Sequence, residues 1–384
     1  MRPGYHHATS TPRADSLETM RSLFRLALAG ACVSVAALSV LFPPGGGVAR
    51  GSPPKAVAVV ALVTPLEGSE TELMILTPGG STTVASFAHL AGAVVRGTTL
   101  PDGAVAAIAD GLPRRDRSWA SVLVRLRPGE AAALLASDLA HASRPVPDGK
   151  GHVLVERAAA GDASPAEDGK LALRVDAIAV DLVDVATGAT STLYTGLGYT
   201  AHVAGVLGDE ALLYRVGPSG ADLIAVSLST HALRTVVASW PSAARDFTVD
   251  AATGSVVVQQ LDPAQRRNVL ERVDVKSGVR TVLADARERD LVPFVLPTGG
   301  VSFTPEGASR SRVLGPGPEI PLPLGGFFWG RASSPDGGFV AGLVVPERAP
   351  PEPVIVSMAT GAVTPLAAPP NARVEIAGFA GGAP

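Results

Sequence analysis

Residues 327–366 read FFWGRASSPDGGFVAGLVVPERAPPEPVIVSMATGAVTPL, and their pattern decides the fold. Four short apolar or β-branched runs lie at 327–331, 339–345, 353–358 and 362–366, with a turn signal at each reversal. At the first reversal Pro335 presets φ, Asp336 bonds to nearby backbone and Gly337 tolerates a positive φ. Ala359-Thr360-Gly361 then turns the chain between the last two runs. Runs of four to eight residues separated by Gly-bearing turns predict a meander of antiparallel hairpins.

The hairpin of the last two runs recurs along the chain. Its copies are ELMILTPGGSTTVASF (72–87), SVLVRLRPGEAAALLA (121–136) and AIAVDLVDVATGATSTLY (177–194), then DLIAVSLSTHALRTVV (222–237) and NVLERVDVKSGVRTVL (268–283). The turn residues Gly79, Gly129, Gly188, His231, Gly278 and Gly361 are spaced by 50, 59, 43, 47 and 83 residues. The last gap spans two repeats and brackets a degenerate copy near Gly317, too rich in proline for central strands. Seven units of this period predict an all-β, seven-bladed β-propeller. A β-sandwich fits less well, because nothing in a sandwich requires one hairpin every 45 residues or so.

The first unit opens at Lys55 with AVAVVALV, where other units have their second strand, so it lacks an innermost strand. The chain ends with ARVEIAGFA (372–380), beyond the seventh complete unit. That run is expected to complete the first blade and join the chain ends. Its Glu375-Ile376-Ala377-Gly378 aligns with His89-Leu90-Ala91-Gly92 and His202-Val203-Ala204-Gly205.

The unit at 327–366 resembles the repeats of TolB-type, WD-repeat-like bacterial propellers, in which a Ser/Asn-Pro-Asp-Gly turn precedes one strand and an Asp/Thr-Gly turn closes the blade. Leu100-Pro101-Asp102-Gly103 and Val146-Pro147-Asp148-Gly149 are weaker echoes. The resemblance implies a periplasmic or surface-exposed propeller that binds other proteins. It does not by itself fix a function.

Ahead of the propeller, residues 1–25 are polar, residues 26–42 are an apolar helix candidate, 43–54 (PPGGGVARGSPP from 43) are a Gly/Pro linker, and 55–384 hold the repeats. The apolar run LALAGACVSVAALSVLF follows Arg25 and carries no charge. As a helix it spans about 26 Å, against about 30 Å of bilayer hydrocarbon. It reads as a signal-anchor that leaves the arginines in the cytoplasm and the propeller outside. Alternatively it is a signal peptide cut near Gly47-Val48-Ala49. Cys32, the only cysteine, permits a third reading as a lipidation site, since Ala29-Gly30-Ala31-Cys32 is similar to an acylation box. No disulfide is therefore expected in the propeller. Five of the 32 basic and two of the 35 acidic residues precede residue 51, so the remainder carries a net charge of −6. That balance argues against nucleic acid as a partner.

Catalytic signatures are few: no Gly-x-Ser-x-Gly elbow, phosphate loop, EF-hand or His-x-x-x-His pair occurs. The carboxylates of 162–168 (DASPAED) depart from a calcium loop, because a proline intrudes and the bend glycine is missing. They lie in an insertion at 157–175, read as a rim loop of the third unit. The shared Ala-Gly alignment places His89, His202 and Glu375 on innermost strands, as a candidate metal-binding or channel-lining set. Strand alternation could equally turn them into the blade packing. Trp119, Trp240 and Trp329 read as core anchors between blades. No cofactor is assigned. The expected molecule is a monomeric, exported binding or scaffold module, held to the membrane by its helix if uncleaved, with an envelope protein or cell-wall-linked partner. The alternative is a channel-centred, metal-dependent lyase or hydrolase.

Overall fold

Apolar runs bounded by turns become strands because pairing satisfies their backbone while neighbouring sheets cover both faces. Val105–Ala109 is buried at all five positions and Val59–Pro65 at its first six, whereas the outer strand Gly80–Ala88 is fully buried only at Phe87. The computed structural model describes residues 57–110, 121–139, 143–158, 163–165, 171–173, 178–196, 200–217, 220–240, 243–262, 267–286, 291–305, 307–323 and 325–381. Among these every regular element is a strand, and none is a helix long and apolar enough to cross a membrane. The apolar run at 26–42, Cys32 and Trp119 lie outside the described residues.

The strands form antiparallel meanders. Four-stranded sheets are built from Thr200–Leu207 to Leu233–Trp240, from Ala243–Asp250 to Arg280–Ala286, and from Phe327–Ser333 to Val363–Pro365. The proline-rich copy near Gly317 is a three-stranded sheet of short strands, Phe294–Val295, Val301–Phe303 and Arg312–Leu314. The strands from Val95–Thr99 to Thr190–Gly196, apart from Ala163–Pro165 and Leu171–Leu173, form an eight-stranded sheet joined only through the single pair Leu139↔Arg157. Within the expected loop at 157–175, Ala163–Pro165 and Leu171–Leu173 pair as a hairpin.

The first sheet is completed by the end of the chain. Ala372–Phe379 pairs antiparallel with Val59–Pro65, from Val59↔Phe379 to Pro65↔Ala372, and supplies the innermost strand. Apolar clusters lie between successive sheets. One packs Leu212, Leu223 and Trp240 against Val256, Val258 and Val273; another packs Val257 and Leu270 against Val301 and Phe303. A further cluster joins Val59, Ala61, Ile376 and Phe379 of the first sheet to Ala341, Leu343 and Ile355 of the last. The sheets therefore face one another in a ring, as in a β-propeller.

The turn signals fold as read. Gly188, His231, Gly278 and Gly361 all take positive φ, and each donates its amide to the carbonyl four residues earlier. His231, at φ 59°, occupies a glycine position. Asp184 and Asp274 fix two of these turns by accepting from the backbone N–H and hydroxyl of Thr187 and Ser277 respectively.

Candidate functional site

The innermost strands of the sheets surround a cavity of about 880 Å³. Several of these strands carry a bulge at the cavity wall. Ala204 has no partner between Val203↔Leu213 and Gly205↔Leu212, and Ala377 none between Ile376↔Ala61 and Gly378↔Val60. Asp246 and Phe247 are looped out of Ala243–Asp250, and Arg331 out of Phe327–Ser333. A bulge leaves one residue outside the ladder and re-aims its side chain. Here Asp246 and Arg331 line the cavity.

The bulges explain the recurring Ala-Gly pair. A Cβ at Gly378 would collide with the Thr99 side chain, and one at Gly205 with Val249, both on the next sheet's innermost strand. Adjacent strands converge at the hub, and only glycine permits that approach.

Glu375 and His202 therefore occupy equivalent strand positions, and both line the cavity. His89 does not join them. It follows the outermost strand of the first sheet, with Nε2 2.8 Å from Thr71 Oγ1 and Nδ1 2.8 Å from Leu90 O. Its Ala91-Gly92 belongs to a connecting turn, with Gly92 at φ 77°, and the innermost strand begins at Val95. Arg96 reaches the cavity instead. Among the described residues no group of three or more His, Cys, Asp or Glu side chains is placed to hold a metal ion.

The polar centre of the cavity is a guanidinium–carboxylate cluster. Arg331 is 8% exposed, its Nη2 is 3.4 Å from Glu375 Oε2, and its guanidinium lies 3.6 Å over the Trp329 ring. Arg144 Nη2 lies 2.9 Å from Glu375 Oε1, in ion contact without hydrogen-bond alignment. Arg96 is paired with the buried Asp110 at 2.7 Å. Burial, reinforced by the neighbouring Arg144 cation and only partly offset by Glu375, lowers the Arg331 pKa to about 10. Arg96, Arg144, Arg331 and Asp246 were not singled out in the sequence. Arg331 nonetheless sits inside the decisive stretch, as the one charge in FFWGRAS, and that was the available signal.

Across the cavity His202 Nδ1 is 3.4 Å from Glu156 Oε2, and its ring stacks on Tyr214 at 6.5 Å between centroids. Glu156 also accepts the Val203 N–H at 2.8 Å, so its position is fixed from two sides. Burial disfavours the His202 cation, but the bond and charge of Glu156 prevail and raise the pKa above 6.5. For His89 burial dominates, and the pKa falls below 6.5 despite Leu90 O and Glu70. The two imidazoles are expected to titrate on opposite sides of pH 6.5 by NMR, and Glu156→Gln should bring the His202 midpoint down. The His202–Glu156 pair stabilises the fold below pH 6.5, and that contribution is lost as pH rises through the raised midpoint. A His202 midpoint at or below that of His89 would rule the pairing out.

No protein-family model and no curated protein sequence matches the chain. Among solved structures it is similar to TolB from Acinetobacter baumannii, with 12% identity, 84% of this chain and 66% of that chain covered, and a TM-score of 0.47. It is similar to a putative TolB from Agrobacterium tumefaciens, with 11% identity, coverage of 81% and 89%, and a TM-score of 0.41. A third is an oligogalacturonate lyase in complex with manganese, with 14% identity, coverage of 71% and 74%, and a TM-score of 0.43. The chain spans just under two thirds of the Acinetobacter TolB chain. TolB-type propellers thus stand among the folds this chain is similar to. Likeness at these scores assigns no residue and no activity; strand register and sheet order carry the fold.

Proposed function

We propose that the chain is an exported, seven-bladed propeller that acts as a binding module in the cell envelope and takes its ligand or partner segment at the central cavity. The count of seven follows if the eight-stranded sheet is divided at Leu139↔Arg157 into two four-stranded blades. The apolar run at 26–42 behind Arg25 supports export and tethering by this segment, with the propeller outside. The observation that carries the binding reading is the cavity itself. It is open to solvent, lined by innermost strands of several sheets, and furnished with convergent charged groups and an aromatic face. Scaffolding through rim loops alone would leave that polar hub without a role. The His202–Glu156 pair favours a second reading, a channel-centred lyase or hydrolase, since a carboxylate-oriented imidazole facing a cavity is a general-base arrangement.

A photo-crosslinking side chain placed at Arg373, exposed at the cavity, should capture an adduct in cells that is recovered in the envelope fraction. The same group at Val279, on an exposed turn, is the control. Equal capture at both positions, or recovery in the cytoplasmic fraction, would overturn the reading.

A further inference from the structure

We propose that the central cavity binds the anionic group of a small ligand, a carboxylate or a phosphate, between Arg331 and Arg144. The inference rests on the cavity being a binding site and names what it binds. Two guanidinium groups share one carboxylate there, since Glu375 is 3.4 Å from Arg331 and 2.9 Å from Arg144. Arg331 Nε and Glu375 Oε1 are both buried without an aligned hydrogen-bond partner. A buried polar network left half-satisfied is costly, and a buried cation more so unless fully paired. One face of the Arg331 guanidinium is covered by Trp329, so its donors lie along its edge, in the cavity wall. Planar N–H groups in a fixed fork are suited to an oxyanion, and a carboxylate or phosphate oxygen would satisfy Nε while balancing the second guanidinium.

The surrounding charges agree. The cavity lining carries Arg96, Arg144, Arg331 and Arg373 against Glu156, Asp246 and Glu375, an excess of one positive charge. The chain beyond residue 50 is net negative by six. Arg96 is committed to Asp110 and Glu156 to His202, which leaves Arg144, Arg331 and Arg373 facing Asp246 and Glu375, with Glu375 shared between Arg331 and Arg144. Burial outweighs the pull of Glu375 on the Arg331 proton, the signature of a cation without its full complement of negative charge.

The test is calorimetric titration of the purified full-length chain with inorganic phosphate and, separately, with succinate, at low ionic strength. Saturable binding of at least one anion is expected. Binding should weaken tenfold or more in Arg144→Gln and be lost in Arg331→Gln. Glu375→Gln should tighten it several-fold, because a competing carboxylate is removed. A merely structural role for Glu375 would not give that sign. Arg127→Gln, an exposed arginine paired with Asp102, should leave affinity unchanged. If Arg331→Gln does not fold, Arg144, 36% exposed, still decides the matter. Preference for phosphate or for succinate would assign the ligand's anionic group. No saturable binding of either anion, or full affinity in Arg144→Gln, overturns the proposal. Adducts at Arg373 without anion binding would sink this inference and leave the binding reading standing. Anion binding without adducts would uphold this inference and overturn capture of a partner segment in the envelope.

Discussion

Deleting residues 372–384 is expected to lower the thermal midpoint by about 10 °C or more. The deletion removes Ala372–Phe379, the innermost strand of the first sheet, and with it the ladder to Val59–Pro65. Ile376, Ala377 and Phe379 lose their burial, and Val59, Ala61 and Val63 lose the strand that covers their edge. Burying an Ile or Phe side chain is worth roughly 1.5–3 kcal/mol each, so the apolar loss alone reaches about 5 kcal/mol. At roughly 2 °C per kcal/mol for a large domain, that gives the stated drop. Ile376 and Phe379 also pack on Ala341, Leu343 and Ile355, so the cut opens the contact between the last and first sheets. Differential scanning calorimetry of the shortened chain reads the effect, and an unchanged midpoint would mean the tail closes nothing.

Trp240→Ala should cost about 3–5 kcal/mol, the range for truncating a fully buried tryptophan. Trp240 is 0% exposed at the end of Leu233–Trp240 and packs edge-on against Tyr214 at 6.1 Å. Arg280, on the next sheet, lies 5.2 Å over its ring. The side chain thus ties two sheets together, and its loss leaves a cavity that rigid strands close poorly. Trp240→Phe should retain much of the stability. Trp329, partly exposed at the cavity, should cost far less when changed to Phe. Urea midpoints at constant slope give the comparison. A Trp240→Ala cost under about 1 kcal/mol would contradict the packing between these sheets.

What was legible in the sequence was local and periodic. The closing hairpin could be traced because its turn demands positive φ at Gly188, His231, Gly278 and Gly361, and its strands demand β-branched runs. The missing strand before Lys55 and the surplus one after Asn371 could be matched by counting. Of the three tryptophans read as core anchors, Trp240 is one, Trp329 packs against the cluster joining the first and last sheets while also lining the cavity, and Trp119 lies outside the described residues. The site was less legible. The Ala-Gly pair marks a bulge at Ala204 and Ala377, but only a turn at Ala91-Gly92, and that ambiguity misplaced His89. Arg331 and Asp246 carry no periodic signal, because a bulge breaks the period of two by which strand residues fall on a face. Arg144 lies outside any regular strand, where periodicity carries no signal.

In the ring, the first sheet is completed by the chain's own tail. Cysteines introduced together at Val63 and Val374, partners in the closing ladder, test it most directly in a Cys32→Ser background. Mild oxidation is expected to give a reductant-sensitive intramolecular crosslink, since directly opposed antiparallel residues approach disulfide distance. The pair Val63 and Val279 should give none. Failure of the first pair to crosslink, or crosslinking no faster than the control, would contradict closure of the ring.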